Sequence, residues 1–402
     1  MRVAVLGGGA AGFFSAVCIS ENFPNAQIVL FEKTQKLLSK VKISGGGRCN
    51  VTTSCKELSE LIAAYPRGGK QLKFAFHEFN NQHTIEWFEK RGVDLYSQSD
   101  GRMFPVSDSS QTIMDCLLNI ARRNGVQIRK GIHITRIKPS DKVWDLSAGD
   151  EEIGSFEKVI VATGGSPKRE GIEWLEELNH GIVEPVPSLF TFNIPNDSIV
   201  DLSGISCSEV LAEVKGTKLK SNGPILVTHW GLSGPCILKM SSIGARILND
   251  LDYNFTVRIN WIAERNESIV REKLEGLAKE NGRKKITNGR LEVIPERLWA
   301  FLLERAQLNA DRVWGEIGSK GINKLVSILC NDQYQVEGKT TFKEEFVTAG
   351  GIDLKDVNMK TMESKHSPGL YFCGEVLNID GITGGYNFQA AWTTAYIASQ
   401  LN

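Results

Sequence analysis

Glycine-rich segments near the two ends of the chain have residue types and spacing that suit a dinucleotide. Near the amino terminus, the apolar residues 3–6 lead into Gly7-Gly8-Gly9-Ala10-Ala11-Gly12. A Gly-x-Gly-x-x-Gly pattern between a strand and a helix permits a tight turn, close approach to a pyrophosphate and close packing of the helix on the strand. The free N–H groups of the helix then hold the phosphates. We predict that Gly7, Gly9, Ala10, Ala11 and Gly12 bind a dinucleotide.

An acidic residue supports this interpretation. The second apolar run, residues 27–31, ends in Glu32. Dinucleotide sites place at this position the acid that accepts hydrogen bonds from the adenosine ribose. Glu32 therefore argues against a nucleotide with a 2′-phosphate. The alternative is a glycine-rich turn that packs the helix and binds nothing.

The carboxyl-terminal segment has the spacing expected for the flavin end of the same site. Gly374-Glu375 follows a predicted strand, and Gly384-Gly385 opens a predicted helix. A helix N-terminus stabilises the negative charge that develops near N1 and the C2 carbonyl oxygen of a reduced flavin. Asp380 is predicted to bind ribityl hydroxyls or diphosphate-bound water. Alternatively, Asp380 only caps the helix.

Two internal segments are predicted to complete the site. Ser44-Gly45-Gly46-Gly47-Arg48-Cys49 offers backbone amides beside a fixed cation, Arg48. The alternative is a flexible loop with a solvated arginine. Cys49 is not part of a Cys-x-x-Cys pair, so a packed thiol is favoured over a redox group. Ala162-Thr163-Gly164-Gly165 ends a predicted strand, where open α/β sheets hold ligands, although an ordinary turn would look the same.

Composition restricts the class of protein. A chain of 402 residues is too long for one compact core. Lysine plus arginine equals aspartate plus glutamate, at 47 each, and this balance predicts no nucleic-acid partner. The chain leads directly into its first strand and has no apolar stretch of transmembrane length, which predicts a cytoplasmic protein with no membrane partner.

The eight cysteines and six histidines do not form a recognisable redox or metal motif. No Cys-x-x-Cys pair is present, which predicts reduced thiols and argues against a dithiol flavoenzyme. No cluster of histidine, cysteine and carboxylate has metal-ligand spacing, so no metal is predicted.

Alternating strand and helix patterns predict an α/β fold. They include a strand at residues 132–137 and a hairpin from residues 143–146 and 153–156. From residue 185 the predicted secondary structure changes to short strands followed by helices, which indicates an insert. We predict a discontinuous, glutathione-reductase-like Rossmann domain for FAD over residues 1–185 plus 347–402. The predicted insert consists of a β-barrel-like subdomain, residues 186–260 plus 331–346, and a small helical cap subdomain, residues 261–330.

The motifs together resemble one family. Besides those above, they are Asn50-Val51-Thr52, Arg102-Met103-Phe104-Pro105, Thr228-His229-Trp230-Gly231-Leu232-Ser233-Gly234-Pro235, Thr348-Ala349-Gly350-Gly351 and Gly384-Gly385-Tyr386-Asn387-Phe388-Gln389. With these motifs in this order, the chain resembles the FAD flavoproteins of the aminoacetone oxidase family, also known as BaiN-like NAD(P)/FAD-dependent oxidoreductases. The resemblance implies the fold and non-covalent FAD. It does not imply one activity, because members act on different substrates, including an aminoketone and oxo bile acids.

The chain departs from the family pattern at three places. Leu38-Ser39 stands where Gly-Arg is common before the lysine that matches Lys40, and Ser109-Ser110 where a lysine is usual. Cys373 replaces the commoner alanine beside Gly374. A thiol there would make the flavin sensitive to oxidation.

The motifs and the resemblance together define the predicted cofactor contacts. In addition to the glycine-rich turn and Glu32, they are Lys33, Lys40, Ser44, Gly46, Gly47, Arg48, Cys49, Asn50, Ile134, Ala162, Thr163, Gly164, Gly374, Glu375, Asp380, Gly385, Tyr386, Asn387 and Phe388.

The reaction predicted is transfer of hydride between a small organic substrate and flavin N5. The substrate is an amine or aminoketone, or an oxo or unsaturated compound, and His229, Tyr386 and Arg48 are the candidate catalytic residues. No second Gly-x-Gly-x-x-Gly unit follows a strand, so NAD(P)H would dock only transiently, and coupling to oxygen is equally open. The alternatives are a non-catalytic flavin-binding redox sensor and a tRNA-modifying flavoprotein. The oligomeric state is left open.

Overall fold

A computed structural model of the chain describes residues 1–340 and 347–402. The strands, in chain order, are β1 (Arg2–Leu6), β2 (Gln27–Glu32), β3 (Thr52–Thr53), β4 (Leu95–Ser97), β5 (Arg102–Pro105), β6 (Gln127–Lys130), β7 (Arg136–Ser140), β8 (Val143–Ala148), β9 (Glu151–Phe156), β10 (Lys158–Val161), β11 (Ile182–Ser188), β12 (Thr191–Asn193), β13 (Ser206–Val214), β14 (Lys220–Thr228), β15 (Gly231–Ser233), β16 (Asn254–Asn260), β17 (Asp332–Glu337), β18 (Lys339–Thr340), β19 (Val347–Ile352), β20 (Val357–Asn358), β21 (Glu363–Ser364) and β22 (Leu370–Phe372).

The helices, in chain order, are α1 (Ala10–Asn22), α2 (Ser39–Gly47), α3 (Leu58–Ala63), α4 (Gly69–Glu78), α5 (Asn81–Glu89), α6 (Ser110–Arg123), α7 (Pro235–Ile243), α8 (Ala245–Asp250), α9 (Glu267–Glu280), α10 (Glu296–Arg305), α11 (Gly318–Asn331) and α12 (Tyr386–Ala398). Short 3₁₀ turns lie at Arg169–Gly171, Glu173–Leu178, Ser198–Leu202, Trp314–Glu316, Leu354–Asp356 and Gly374–Val376. No helix in these two ranges is both long enough and apolar enough to cross a bilayer.

The described residues form two compact units. The first unit runs from Met1 to Ser188 and resumes at residue 347, and the second covers residues 189–340. The predicted domain boundaries, and the division of the insert into a β-rich and a helical subdomain, stay predictions. Each unit is described by itself.

A parallel sheet organises the first unit. Its strand order is β20-β21-β22-β10-β1-β2-β6, with β22, β10, β1, β2 and β6 parallel to one another. Residues 3–5 of β1 are completely buried, as expected for a central strand covered on both faces. Because β22 comes from the end of the chain and pairs with β10, the sheet is assembled from distant segments. The predicted α/β class with a Rossmann-type domain is confirmed.

The first and last helices pack together beside this sheet. Phe14 of α1 contacts Trp392 of α12, with ring centroids 5.3 Å apart, and Trp87 of α5, with centroids 4.5 Å apart. Large buried rings remove much apolar surface from water, and tilted contacts between them add stability. This aromatic cluster therefore holds the two termini of the unit in one core.

The second unit has a seven-stranded antiparallel sheet. The order is β17-β16-β13-β14-β15-β12-β18, and helices α9, α10 and α11 share one apolar cluster with it. Asp332, completely buried at the start of β17, accepts hydrogen bonds from Trp261 at 2.9 Å and from Arg305 at 3.0 Å. The paired carboxylate fixes the junction between sheet and helices, because an unpaired buried charge would be costly.

Several predicted elements match the structure, and one is wrong in part. The predicted hairpin corresponds to β8 and β9, which pair antiparallel. The predicted strand at residues 132–137 begins only at Arg136. Its first residues instead form the connection from the sheet edge, where the Ile132 N–H donates to the Glu32 carbonyl at 3.0 Å.

A buried histidine generates a prediction about pH. His180 is almost completely buried, and its Nε2 lies 2.8 Å from the Ser364 hydroxyl. Burial is the main cause that lowers the pKa of His180 below its ordinary 6.5; nearby His366 lowers it further, whereas Asp356 opposes the shift. The unfolded chain therefore binds a proton more readily than the folded protein does. The stability that depends on neutral His180 is complete above pH 6.5 and declines as the pH falls below that value.

We expect His180→Gln to reduce the loss of unfolding free energy between pH 7.5 and 5.5. Urea denaturation of the full chain, followed by tryptophan fluorescence, measures this loss. His77→Gln, an exposed residue near the end of α4, is the control and should keep the wild-type slope. An unchanged slope in His180→Gln would contradict the assignment.

Candidate cofactor site and active site

The turn after β1 is shaped by contacts that only glycine permits. Gly7 has φ +114°, and a Cβ there would lie 2.3 Å from the Ala162 carbonyl oxygen. A Cβ on Gly12 would lie 1.8 Å from the Gly7 carbonyl oxygen. The turn therefore lies directly against the end of β10, and α1 lies directly against the turn. Ala162, Thr163 and Gly164 are thereby brought beside the glycine-rich turn.

The first turn of α1 keeps free donors. The first hydrogen bond of α1 is donated by the Phe13 N–H to the Gly9 carbonyl, at 3.0 Å. The N–H groups of Ala10, Ala11 and Gly12 meet no acceptor among the described residues. No acidic side chain lies in this turn. Unpaired donors at the positive end of a helix are a site for phosphate.

Glu32 is held by the backbone around it. Its Oε2 accepts from the Gly8 N–H and its Oε1 from the Thr34 N–H, each at 2.8 Å. Each oxygen retains a lone pair for a further donor, so the carboxylate is positioned to accept from a ribose hydroxyl. Lys33 is exposed beside it, and Ile134 is buried in the connection between β6 and β7.

The amino- and carboxyl-terminal halves of the predicted site meet at Gly374. This residue has φ +76°, and a Cβ there would lie 2.7 Å from the Ala11 Cβ. Beside it, Lys40 Nζ lies 2.6 Å from Glu375 Oε2, although the two residues are 335 positions apart in the chain. The other Glu375 oxygen accepts from the Thr348 N–H at 2.9 Å. Lys40 and Glu375 were each predicted to contact the cofactor, and they form an ion pair.

The start of α12 is tied to the segment that follows the Ser-Gly-Gly-Gly motif. The Asn50 amide, oriented to satisfy both of its polar atoms, donates to the Thr52 carbonyl at 3.0 Å and accepts from the Gly385 N–H at 2.9 Å. A Cβ on Gly385 would lie 2.4 Å from the Thr52 carbonyl oxygen. The backbones therefore touch.

The first turn of α12 also keeps free donors. The first hydrogen bond of α12 is donated by the Gln389 N–H to the Gly385 carbonyl, at 3.0 Å. The N–H groups of Tyr386, Asn387 and Phe388 meet no acceptor in the described part of the chain. This turn is a second position where negative charge is stabilised.

Asp380 has a different environment from the one predicted. It is completely buried, and the Arg67 guanidinium contacts both of its oxygens while the Ser188 hydroxyl donates to Oδ2 at 2.8 Å. Burial raises the pKa of Asp380, and Arg67 and Ser188 oppose that shift. The geometry gives Asp380 a structural ion pair, and its contact with the cofactor stays a prediction. Sequence reasoning missed Arg67, because Pro66-Arg67-Gly68 matches no motif that we used.

Arg48 is fixed over an aromatic ring. Its guanidinium carbon lies 4.2 Å from the centroid of Phe104, and its Nε donates to the Gly45 carbonyl at 3.3 Å. Gly45 and Gly46 adopt left-handed conformations, with φ +58° and +70°. These contacts hold the cation beside the glycine segment. A catalytic role for Arg48 stays a prediction.

The other two candidate catalytic residues lie in different units. Tyr386 opens α12 in the first unit, where the Tyr65 hydroxyl donates to its carbonyl at 2.6 Å. Burial raises the pKa of the Tyr386 phenol, which therefore stays protonated at neutral pH. His229 lies in the second unit, exposed in the turn between β14 and β15. Their catalytic roles stay predictions.

Four of the predicted cofactor glycines face open space. A Cβ added to Gly9, Gly46, Gly47 or Gly164 would meet no atom within 4 Å. Two free helix N-termini, the positioned carboxylate of Glu32 and the bare glycine backbone suit the chemistry of FAD. The residues present therefore fit this cofactor.

The thiols near the site are suited to packing. Cys49 and Cys373 are completely buried, and burial raises the pKa of each to about 12. Since the thiolate is the reactive form, neither is suited to a redox step at neutral pH.

We expect N-ethylmaleimide to modify Cys55 and Cys116 in the folded protein, because both are partly exposed. Cys49 and Cys373 should react only after unfolding. Mass spectrometry of peptides over a time course measures this order. Early modification of Cys49 would restore it as a redox candidate.

Two glycine substitutions should separate cofactor binding from folding. Gly9→Ala should leave the melting temperature of the apoprotein unchanged but weaken FAD at least about tenfold, because the methyl group occupies the approach to the phosphates. Gly12→Ala should destabilise the apoprotein itself, by about 2 kcal/mol, through overpacking against Gly7. Thermal unfolding and fluorescence titration with FAD measure the two effects.

Gly276→Ala is the matched control, because a Cβ there also meets no atom within 4 Å but lies in α9 of the other unit. It should leave FAD affinity unchanged and should not lower the melting temperature, because alanine favours a helix interior over glycine. Equal FAD affinity of wild type and Gly9→Ala would refute phosphate binding at this turn.

Comparisons with known proteins agree with this geometry. A family model described as the HI0933-like protein Rossmann domain matches residues 1–401. A 3-dehydro-bile acid delta(4,6)-reductase of Clostridium scindens is 25% identical, over 99% of this chain and 98% of that protein. A ribosomal RNA dihydrouridine synthase of Escherichia coli is 26% identical, over 98% of this chain and 96% of that protein. Among solved structures, 3-ketosteroid delta1-dehydrogenase from Sterolibacterium denitrificans shares the fold, with a TM-score of 0.54, 11% identity, and coverage of 99% of this chain and 98% of that one. The chain therefore belongs to the HI0933-like family of FAD-dependent Rossmann oxidoreductases, and FAD is its cofactor.

Proposed function

We propose that this flavoprotein is a reductase that saturates a carbon–carbon double bond conjugated with a carbonyl group. The observation that supports the proposal is the chemistry shared by two relatives that align over nearly their whole length. A delta(4,6)-reductase of a 3-dehydro compound and a dihydrouridine synthase each add two hydrogens to such a bond. The substrates differ in size, whereas the bond that changes is electronically alike.

The chain's own residues suit this reaction. Bound FAD supplies two-electron redox chemistry. The free N–H groups of Tyr386, Asn387 and Phe388 present the positive end of α12, where they stabilise negative charge. Reduction of a conjugated double bond also consumes a proton, and the protonated Tyr386 phenol is our candidate donor. NAD(P)H is the reductant, so one NAD(P)H and one proton are consumed for each bond saturated.

Uridine in RNA is the substrate that we favour, and a small conjugated ketone is the second candidate. The even charge balance of the chain predicted no nucleic-acid partner, and no comparison tests that prediction. The full-length similarity to a ribosomal RNA dihydrouridine synthase supports RNA as the substrate, although acidic and basic residues are equal in number. Oxidation of an aminoketone and a non-catalytic redox sensor are the alternatives that the experiment must exclude.

We expect NADPH to bleach the visible absorbance of the FAD-loaded protein under anaerobic conditions. Unmodified ribosomal RNA, or a 4,6-dien-3-one, should then restore the absorbance and yield the dihydro product, identified by mass spectrometry. Aminoacetone should not bleach the flavin. Bleaching by aminoacetone and none by NADPH would replace the reductase with an oxidase, and no bleaching by any reductant would favour the sensor.

Tyr386→Phe tests the proton donor. Bleaching by NADPH should proceed as in wild type, whereas product formation should fall about 100-fold, since general acids contribute on this scale. Tyr96→Phe, which removes a hydroxyl bonded to Asp108 at 2.7 Å, is the control and should retain full activity. Equal turnover in Tyr386→Phe and wild type would remove Tyr386 from the reaction.

A further inference from the structure

A polar cavity lies within the second unit. It encloses about 600 Å³ and is lined by β13, β14, β16, the start of α9 and the end of α11. A cavity of this size accommodates a nucleotide. None of the sequence motifs includes its lining, and neither the cofactor site nor the proposed reaction uses it.

Strand register explains why the lining is polar. Glu213 pairs with Lys220 on one neighbouring strand and with Arg258 on the other. Side chains opposite each other in an antiparallel sheet point to the same face, so these three ionic groups are adjacent. Residues 212 and 214, on the opposite face of β13, are buried in the core of the unit. The cavity is therefore on the outer face of the sheet.

Three cations and two carboxylates line the cavity. Glu213 is shared by two of the cations, with Arg258 at 2.7 Å and Lys220 at 3.1 Å. Glu267 accepts from the Asn331 amide at 2.8 Å. Arg265 is exposed in the lining and forms no ion pair with another described residue. The carboxylates are engaged, and the cations retain free donors for a negatively charged ligand.

The cavity also offers groups that can read a nucleobase. Asn222 of β14 is exposed in the lining. A free amide presents one acceptor and two donors, which match the edge of an unpaired base. Lysine and arginine contact phosphates of the same strand. This combination suits a single-stranded RNA segment better than a simple anion, which would use only the cations.

We propose that the outer face of this sheet, centred on Lys220, Arg258 and Arg265, is a docking site for a single-stranded segment of the RNA substrate. The inference rests on the proposed function and deepens it by naming where RNA is held. The site binds phosphodiester groups through the cations and an unstacked base through the cavity. A free nucleotide shares this chemistry, and the experiment separates the two.

The test uses the FAD-loaded full chain and a fluorescein-labelled, uridine-containing 12-nucleotide RNA. Fluorescence anisotropy is measured over a series of salt concentrations for wild type, Lys220→Glu, Arg265→Glu and the double variant. We expect each single substitution to weaken binding about tenfold and to reduce the slope of log affinity against log salt by about 1. Thermal unfolding checks that the variants remain folded, and Glu213 keeps Arg258 as a partner when Lys220 is changed.

Lys284→Glu is the matched control. Lys284 is exposed in the basic sequence Arg283-Lys284-Lys285, beyond the opposite end of the 14-residue helix α9, so it lies about 20 Å along that helix from Glu267. Its substitution should leave RNA affinity unchanged. If Lys284→Glu weakens binding and the cavity variants do not, RNA docks elsewhere and the proposal is wrong.

Two further results would also overturn the proposal. One is that wild type does not bind the RNA; the other is that uridine monophosphate competes as strongly as the oligonucleotide, which would make the cavity a site for a free nucleotide. NADPH-dependent reduction of a 4,6-dien-3-one is measured in parallel. Cavity variants that lose RNA affinity should keep this activity. If wild type and cavity variants reduce RNA equally, the proposed function is supported and the proposal of an RNA-docking site at the cavity is wrong.

Discussion

The cofactor site depends on close contact between backbone segments from opposite ends of the chain. Gly374 lies against Ala11, and Gly385 lies against the Thr52 carbonyl, each at a distance that excludes a side chain. The Lys40–Glu375 ion pair spans the same junction, but with Lys40 nearly half exposed such a pair stabilises little. The steric fit of these backbone segments, supported by the aromatic core between α1 and α12, is therefore what holds the two ends of the chain together. It places the free N-termini of these two helices in one unit.

The same unit accommodates a long insertion because of how two strands pair. The insertion leaves after β11 and the chain returns at β19, and these strands are antiparallel neighbours, with Ser188 opposite Val347. The points of departure and return are therefore adjacent, so the insertion need not disturb the parallel sheet. Ser188 at this junction also donates to buried Asp380. A polar network thus holds the departing strand to the segment that leads into α12.

The sequence predicts the backbone of this site well and its side-chain partners poorly. The glycine-rich turn, the strand end at Glu32 and the start of α12 lie where the sequence predicts them, because each depends on local geometry: a tight turn, a strand end or a helix start. Arg67 and Ser188 were missed because their role is to satisfy a carboxylate far away in sequence, and local patterns contain no information about such pairs. Asp380 was singled out because it precedes the predicted helix start. Its burial and its pairing with Arg67 and Ser188 could not be predicted from that position.

The charge of the whole chain does not describe the local charge of one face, for a similar physical reason. An antiparallel strand sends successive side chains to opposite faces, so ionic residues of β13, β14 and β16 collect on the outer face while apolar residues fill the core. Equal totals of acidic and basic residues set the long-range field, which governs non-specific attraction. They do not set the local arrangement in which Lys220 and Arg258 share one carboxylate. On our proposal, this face holds RNA through a few positioned contacts, and specificity depends on shape and hydrogen bonds more than on net charge.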